Sequence, residues 1–325
     1  MLDLYKRNIE YLRISITDKC NLRCKYCVSE GEFDTLKNDE ILTFDEIIKI
    51  CRSASNLGIT KIKITGGEPL LRQDAVELIR YIKELPHIKS VTLTTNGVFL
   101  YDKIQELKSS DVDSINVSLD TLIKKKFNDI TRRNEFDIVI NGIKEAVKNG
   151  MKIKINCVPI KNFNFDELTN IALISKEKDV DVRFIEMMPM GLGKSFDGIS
   201  SKEILDILEK EFGKFSKVNS VKDNGPAVYY KNDIFKGRIG FISAISNEFC
   251  KNCNRIRITA DGVLKPCLCY GTGIDLKNLI RNGISEEELT NVMKSGILSK
   301  PEKHEFNEDK KSNNIDIRKM SQIGG

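Results

Sequence analysis

Between residues 10 and 186, short runs with every second position apolar alternate with longer stretches whose apolar residues recur every three or four positions. The first spacing is that of a strand with one buried face, the second that of an amphipathic helix. It predicts strands at Glu10–Thr17, Lys61–Thr65, Lys89–Thr94, Asp113–Leu119, Met151–Pro159 and Val180–Glu186. Between them it predicts helices at Thr43–Asn56, Gln73–Leu85, Tyr101–Ser109, Leu122–Asp129, Phe136–Lys148 and Phe165–Lys178. Thr43 with Glu46 three residues on forms a capping box at the first helix. Six strands joined by helices require right-handed crossovers and a parallel sheet. The expected class is α/β, with the sheet curved into a partly closed barrel and the helices outside.

Parallel strands covered on both faces are nearly all apolar, and these are not. One face carries Arg13, Ser15 and Thr17, then Lys63 and Thr65, then Thr92 and Thr94. It continues with Ser114, Asn116 and Ser118, then Lys152, Lys154 and Asn156. In a barrel this face is the lumen, and burying such groups around nothing is costly. The pattern implies a large, polar, anionic ligand. An open antiparallel sheet with a solvated face would give the same alternation, but the intervening helices argue against it.

From about residue 195 the pattern changes. A helix is predicted at Ser201–Phe212, strands at Ala227–Tyr230 and Ile234–Ile245, and a hairpin of Arg255–Thr259 with Gly262–Pro266 around Asp261-Gly262. Short helices follow at Asp275–Arg281 and Glu286–Ser295. Lys300 to Asn314 is charged and poor in apolar residues, which reads as a flexible linker. The terminal Gly324-Gly325 is either a frayed end or a tail thin enough for a narrow pocket. The expected division is 1–195 and 196–325.

The chain has 325 residues and a formal charge of +5. No apolar run approaches a membrane span, and Met1–Glu10 lacks the apolar core of a signal peptide. A cytoplasmic location is expected, so the nine cysteines point to metal binding instead of disulfides. Cys20, Cys24 and Cys27 form a C-x3-C-x2-C array after the first strand. Three thiolates can hold a four-iron cluster and leave one iron open, whereas a closed zinc site wants four ligands. Cys250, Cys253 and Cys267 form a second trio; with Cys269 it could be a zinc site, and without it a second cluster. Arg255 and Arg257 share a strand face beside it and suit either an anion or water. Cys51 and Cys157 fall in apolar patterns and read as core residues. His87 and His304 lie beside no carboxylate or cysteine motif, so histidine catalysis has little support.

Several strand ends carry short polar or glycine-rich segments: Gly66-Gly67-Glu68-Pro69, Thr94-Thr95-Asn96-Gly97, Asn116-Val117-Ser118-Leu119-Asp120 and Arg183-Phe184-Ile185-Glu186-Met187-Met188. Ligands of parallel α/β folds bind at that end, and the glycines are expected to let a ligand approach the backbone. Ordinary turn and cap chemistry would also explain them. The cysteine array, with Tyr26 before its last cysteine and the Gly66-Gly67-Glu68-Pro69 segment after it, resembles the radical S-adenosylmethionine (AdoMet) superfamily. With the second trio, Arg255-Ile256-Arg257 and the Gly-Gly end, the chain resembles, nearly end to end, the GTP 3′,8-cyclase family of molybdenum cofactor biosynthesis.

That resemblance implies a six-stranded partial TIM-like β/α barrel with a C-terminal extension. It implies a lyase with two [4Fe-4S] clusters, one on Cys20, Cys24 and Cys27 and one on Cys250, Cys253 and Cys267. Tyr26, Gly67, Ser118 and Met188 would contact AdoMet; Arg13, Lys63, Thr94, Lys154, Arg255, Ile256 and Arg257 would bind GTP. The Gly324-Gly325 tail would assist in the site, and no residue is implied as acid or base. One electron would cleave AdoMet to a 5′-deoxyadenosyl radical, which takes hydrogen from ribose C3′. The C3′ radical would then attack guanine C8, and a second one-electron reduction with a proton would give the 3′,8-cyclo-7,8-dihydro product. Implied partners are a reductant such as ferredoxin or flavodoxin and a downstream cyclic pyranopterin monophosphate synthase. A homodimer is allowed; a nucleic-acid polymer or a membrane is not implied. The chain departs from many relatives at Lys63, where they carry arginine, and at Val28-Ser29-Glu30. Two rival readings are a radical AdoMet enzyme that modifies a peptide through an auxiliary cluster, and a non-catalytic metal or nucleotide sensor.

Overall fold

The structure is a computed structural model that describes residues 1–29, 31, 35–218, 225–306, 315–316 and 318–324. The two periodicities separate as expected. The first half comprises β1 (Tyr11–Ser15), α1 (Phe44–Asn56), β2 (Lys61–Thr65), α2 (Ala75–Lys83), β3 (Ser90–Thr95), α3 (Leu100–Ser109) and β4 (Ser114–Ser118). It continues with α4 (Lys124–Thr131), α5 (Phe136–Lys148), β5 (Ile153–Cys157), α6 (Leu168–Glu177) and β6 (Asp181–Ile185). The Thr43 capping box is present, with Glu46 reaching back to the Thr43 N–H. Then come α7 (Ser201–Phe212), β7 (Ser216–Val218), β8 (Val228–Lys231), β9 (Ile239–Ile242), β10 (Arg255–Ile258), β11 (Val263–Lys265) and β12 (Ile274–Asp275). The chain closes with α8 (Leu276–Arg281), α9 (Glu286–Leu298) and α10 (Met320–Ile323).

All strands join one sheet in the order β12-β11-β10-β1-β2-β3-β4-β5-β6-β9-β8-β7. The six strands expected to be parallel are parallel. They are not the whole sheet: β10 pairs parallel with β1 and β9 parallel with β6. The region after residue 195 therefore extends the same sheet at both ends. The edge strands β12 and β7 are not neighbours, so the sheet is open. The strand expected over Ile234–Ile245 is shorter, because a turn from Asn232 to Phe235 precedes β9.

Register turns the strand alternation into rows. Lys265, Arg257, Arg13, Lys63, Thr92 and Ser114 stand side by side across six strands. Ser118, Asn156 and Arg183 form a second row. The other face, with Leu12, Ile14, Ile62, Val91, Ile115 and Ile155, is buried in the apolar core with the helices. In a flat sheet β1 and β6 would stand about 24 Å apart at ~4.8 Å per strand. Yet Arg13 of β1 and Arg183 of β6 line one cavity and each other's charge reaches them. The sheet must therefore curl, with the cationic face concave.

Lys300–Asn314 was expected to be a free linker. Residues 307–314 lie outside the described residues, but Lys300 and His304 are buried, so the first part is packed structure. Among the described residues no helix is long and apolar enough to cross a membrane.

Candidate functional site

Cys20, Cys24 and Cys27 occupy the loop after β1 and are half-buried. The loop is tied on two sides. Arg23 and Lys25 donate backbone N–H groups to Thr131 and Ile130 at the end of α4, both at 2.9 Å. On the other side, Gly67 N–H donates to Thr17 O (2.7 Å) and Glu68 N–H to Lys19 O (2.8 Å). A Cβ on Gly67 would stand 2.4 Å from the Lys19 carbonyl oxygen. The cysteine loop's own backbone is thus a close neighbour of these glycines, which also line the cavity described below. Fully buried Glu68 accepts from Leu70 N–H, the Thr95 hydroxyl and Asn96 N–H, which binds the ends of β2 and β3 together. Burial pushes its carboxyl up to about 7 despite these donors. Asn96 in turn donates to Asn21 Oδ1 at 2.7 Å and to the Cys20 sulfur at 3.6 Å.

The Tyr26 hydroxyl donates to Asp120 Oδ2 at 2.6 Å, and Asp120 Oδ1 accepts from Val158 N–H. Burial, then Asp120, holds the Tyr26 phenol well above its usual range. Burial likewise raises Cys20 and Cys24 and pushes Cys27 up to about 12. Metal must therefore displace protons from these thiols.

A cavity of about 330 Å³ lies over the concave face, within the size range of small-molecule sites. Both cysteine trios line it, together with Cys269. Arg13, Lys63, Arg183, Arg255 and Arg257 line it as well. Burial, then neighbouring cations, pulls Lys63 and Arg257 well below their usual values; burial lowers Arg13 to about 10. Arg183 Nε and Asn156 Oδ1 are buried without a hydrogen-bond partner. Crowded cations and unpaired polar atoms aimed into a cavity fit a polar anion.

Tyr26, Gly67, Thr94, Ser118 and Met188 also line this cavity. Two expected residues do not. Lys154 lines a smaller cavity of about 70 Å³, which Lys63 and Arg183 also line, 3.3 Å from Asp181 and 3.1 Å from the Tyr229 hydroxyl. The Ile256 side chain points into the apolar core. Cys51 and Cys157 are core residues.

Around the second trio, burial pushes Cys253 up, but Arg255 and Lys300 overrule it and bring the thiol down to about 6. Cys269 is pushed up to about 11, first by burial. Among the described residues no three Cys, His, Asp or Glu side chains converge where a single ion could sit. Three thiolates lining one cavity are a donor set that suits a four-iron cluster, which takes each thiolate on a different iron.

The tail reaches the same place. Met320 and Ser321 line the cavity, with the Ser321 backbone beside Cys27. Arg257 donates to Gly324 O at 2.7 Å. Gly324 has φ +74°, and a Cβ there would stand 2.9 Å from Thr65 Cγ2 and 3.0 Å from Ser15 Cβ. Gly325 lies outside the described residues. Behind the tail, buried Asp316 pairs with Lys265.

Sequence reasoning placed Glu68, Asn96, Asp120 and Arg183 in strand-end segments and Asn156 on the polar face, but assigned none of them a role of its own. Arg183 was recoverable, since Asp181 and Arg183 continue on β6 the polar alternation seen on the other strands. His304, thought remote from any motif, lines the cavity, with Nε2 2.9 Å from Ala244 O.

Comparison with known proteins agrees with this geometry. Residues 14–173 match the model of the Radical SAM superfamily and residues 180–306 that of Molybdenum Cofactor Synthesis C. The chain is 46% identical over its full length to a GTP 3′,8-cyclase of Clostridium perfringens, whose whole length is covered. It is 42% identical to a GTP 3′,8-cyclase of Syntrophomonas wolfei, again over all of both chains. In fold it is similar to Streptococcus suis SuiB bound to S-adenosylmethionine, with TM-score 0.66 and 16% identity over 90% of this chain and 68% of that one.

Proposed function

Since this chain belongs to the GTP 3′,8-cyclase family of radical AdoMet enzymes, we propose that it converts GTP to (8S)-3′,8-cyclo-7,8-dihydroguanosine 5′-triphosphate, the first step of molybdenum cofactor biosynthesis. The observation that supports this reading best is the one cavity lined by both cysteine trios and by a group of cations. Cys20, Cys24 and Cys27 would hold one [4Fe-4S] cluster, and Cys250, Cys253 and Cys267 the other. The clusters, when bound, supply one-electron reduction and an open iron for a ligand.

The chain's own residues do the rest. Tyr26, Gly67, Ser118 and Met188 surround the space over the first trio and would hold AdoMet. Arg13, Lys63, Thr94, Arg255 and Arg257 would hold GTP, joined by Arg183. Burial and crowding lower the proton affinity of Arg13, Lys63 and Arg257, and a triphosphate relieves this. Lys154, in the adjoining small cavity, would take the far end of the same ligand, and Ile256 would contribute through its backbone. Gly324 with Gly325 would close the cavity against water. In this reading residues 1–195 serve the AdoMet chemistry and 196–325 grip the nucleotide. A low-potential carrier such as ferredoxin or flavodoxin would supply electrons, and a cyclic pyranopterin monophosphate synthase would take the product, both in the cytoplasm.

Anaerobic reconstitution with GTP, AdoMet and dithionite tests the reading. The expected products are the 3′,8-cyclo nucleotide and 5′-deoxyadenosine. Formation of 5′-deoxyadenosine with GTP recovered unchanged would contradict it.

A further inference from the structure

The segment after α9 lies directly behind the second trio, and two buried cations fasten it there. Arg7 is ion-paired with Asp3 at 2.6 Å. Its remaining N–H groups donate to the carbonyls of Cys250 (3.1 Å), Glu302 (2.8 Å) and Pro301 (2.7 Å). Lys300, 3% exposed, donates to the carbonyls of Arg255 (2.9 Å) and Pro266 (2.6 Å). Those carbonyls lie two residues after Cys253 and one before Cys267. The His304 backbone lies beside Cys250 and the Glu305 backbone beside Cys269. Each cysteine-bearing segment is thus tied to a single strap.

An ammonium buried among carbonyl oxygens, as Lys300 is, costs free energy that two such hydrogen bonds offset only in part. Lys300 also lines the cavity. A cluster held by thiolates is an anionic neighbour that such a cation suits. We propose that Arg7 and Lys300 are positioning residues of the second cluster. They preset the spacing of Cys250, Cys253 and Cys267 before iron arrives, and the Lys300 charge opposes the negative charge of the assembled centre. This inference rests on the two-cluster reading above.

The test compares iron content, electron paramagnetic resonance and cluster reduction potential in anaerobically reconstituted full-length protein. Wild type should carry about eight irons, from two four-iron clusters. Lys300→Met and Arg7→Lys should fall to about half that and lose the second cluster's signal, while 5′-deoxyadenosine formation from AdoMet stays within about twofold. Lys300→Arg should recover most of the iron. Lys49→Met, which removes a lysine bonded to the Ile284 carbonyl away from the cavity, should change nothing. Full iron with unchanged signal and potential in both variants would overturn the assignment. Loss of both clusters together would also overturn it, since the brace would then serve the whole fold. If wild type itself held only four irons, the two-cluster reading would fall and take this inference with it.

Discussion

Lys63 sits on β2 between Arg13 and Thr92 in the row of polar side chains. Its ammonium is held low by burial first and then by Arg183, Arg13, Lys154 and Arg255. A bound triphosphate opposes both effects, so binding takes up a proton and GTP affinity should fall as pH rises. Lys63→Met should weaken GTP binding about 10- to 100-fold, the worth of one charge-assisted hydrogen bond, and leave AdoMet binding intact. Lys63→Arg, which restores the two-pronged fork, should bind at least as tightly as wild type. Equilibrium dialysis under nitrogen measures all three. Glu68 makes a separate prediction. Its folded value of about 7 lies above the unfolded value of 4.5. Its contribution to stability is fully present below pH 4.5 and is lost as pH rises through 7, by up to about 3 kcal/mol. Denaturant titrations across that window should show the decline, and Glu68→Gln should flatten it. At this scale strand alternation exposed Arg13, Lys63 and Thr94 because period two carries the facing of every side chain. It could not reveal Asp120 or Asn96, whose roles arise from loops meeting in space.

Elements with many turns or a clear period were legible. α1, β2, α5 and α7 lie where the apolar spacing put them, within a residue. Short elements were not: β7, β12 and α10 have two to four residues, too few to show a period. The packed strap at 300–306 was misread because its burial comes from buried cations and carbonyls, which look like solvated charge in a sequence. The glycine segment was placed at the site, but its close approach to the first cysteine loop was not foreseen. Gly67→Ala would push a Cβ into the Lys19 carbonyl. It should cost about 1–3 kcal/mol and displace the first cysteine loop, and AdoMet binding by the reconstituted protein should be lost while the second cluster remains. Gly324→Ala meets positive φ and contacts with Thr65 and Ser15. With a left-handed penalty of about 1–2 kcal/mol, the last turn of the tail should shift. Product formation should drop sharply with iron content unchanged.

At the scale of the whole molecule, the curl of the sheet is what makes a site. Strand order alone spreads the cations from β10 to β6 over about 29 Å when flat; curvature gathers them with both trios into one cavity. Sequence pattern indicated the parallel core and its polar face. It left unseen that the C-terminal region joins the same sheet at both ends through β9 and β10. This join brings Cys250, Cys253 and Cys267 to the cavity that Cys20, Cys24 and Cys27 line, and Cys250→Ala should halve the iron, abolish GTP turnover and spare AdoMet binding. The most direct test follows deuterium from GTP labelled at ribose C3′, supplied with AdoMet and dithionite. The account predicts that the label appears in 5′-deoxyadenosine and is missing from the 3′,8-cyclo product. Label retained in the nucleotide while 5′-deoxyadenosine forms unlabelled would contradict it.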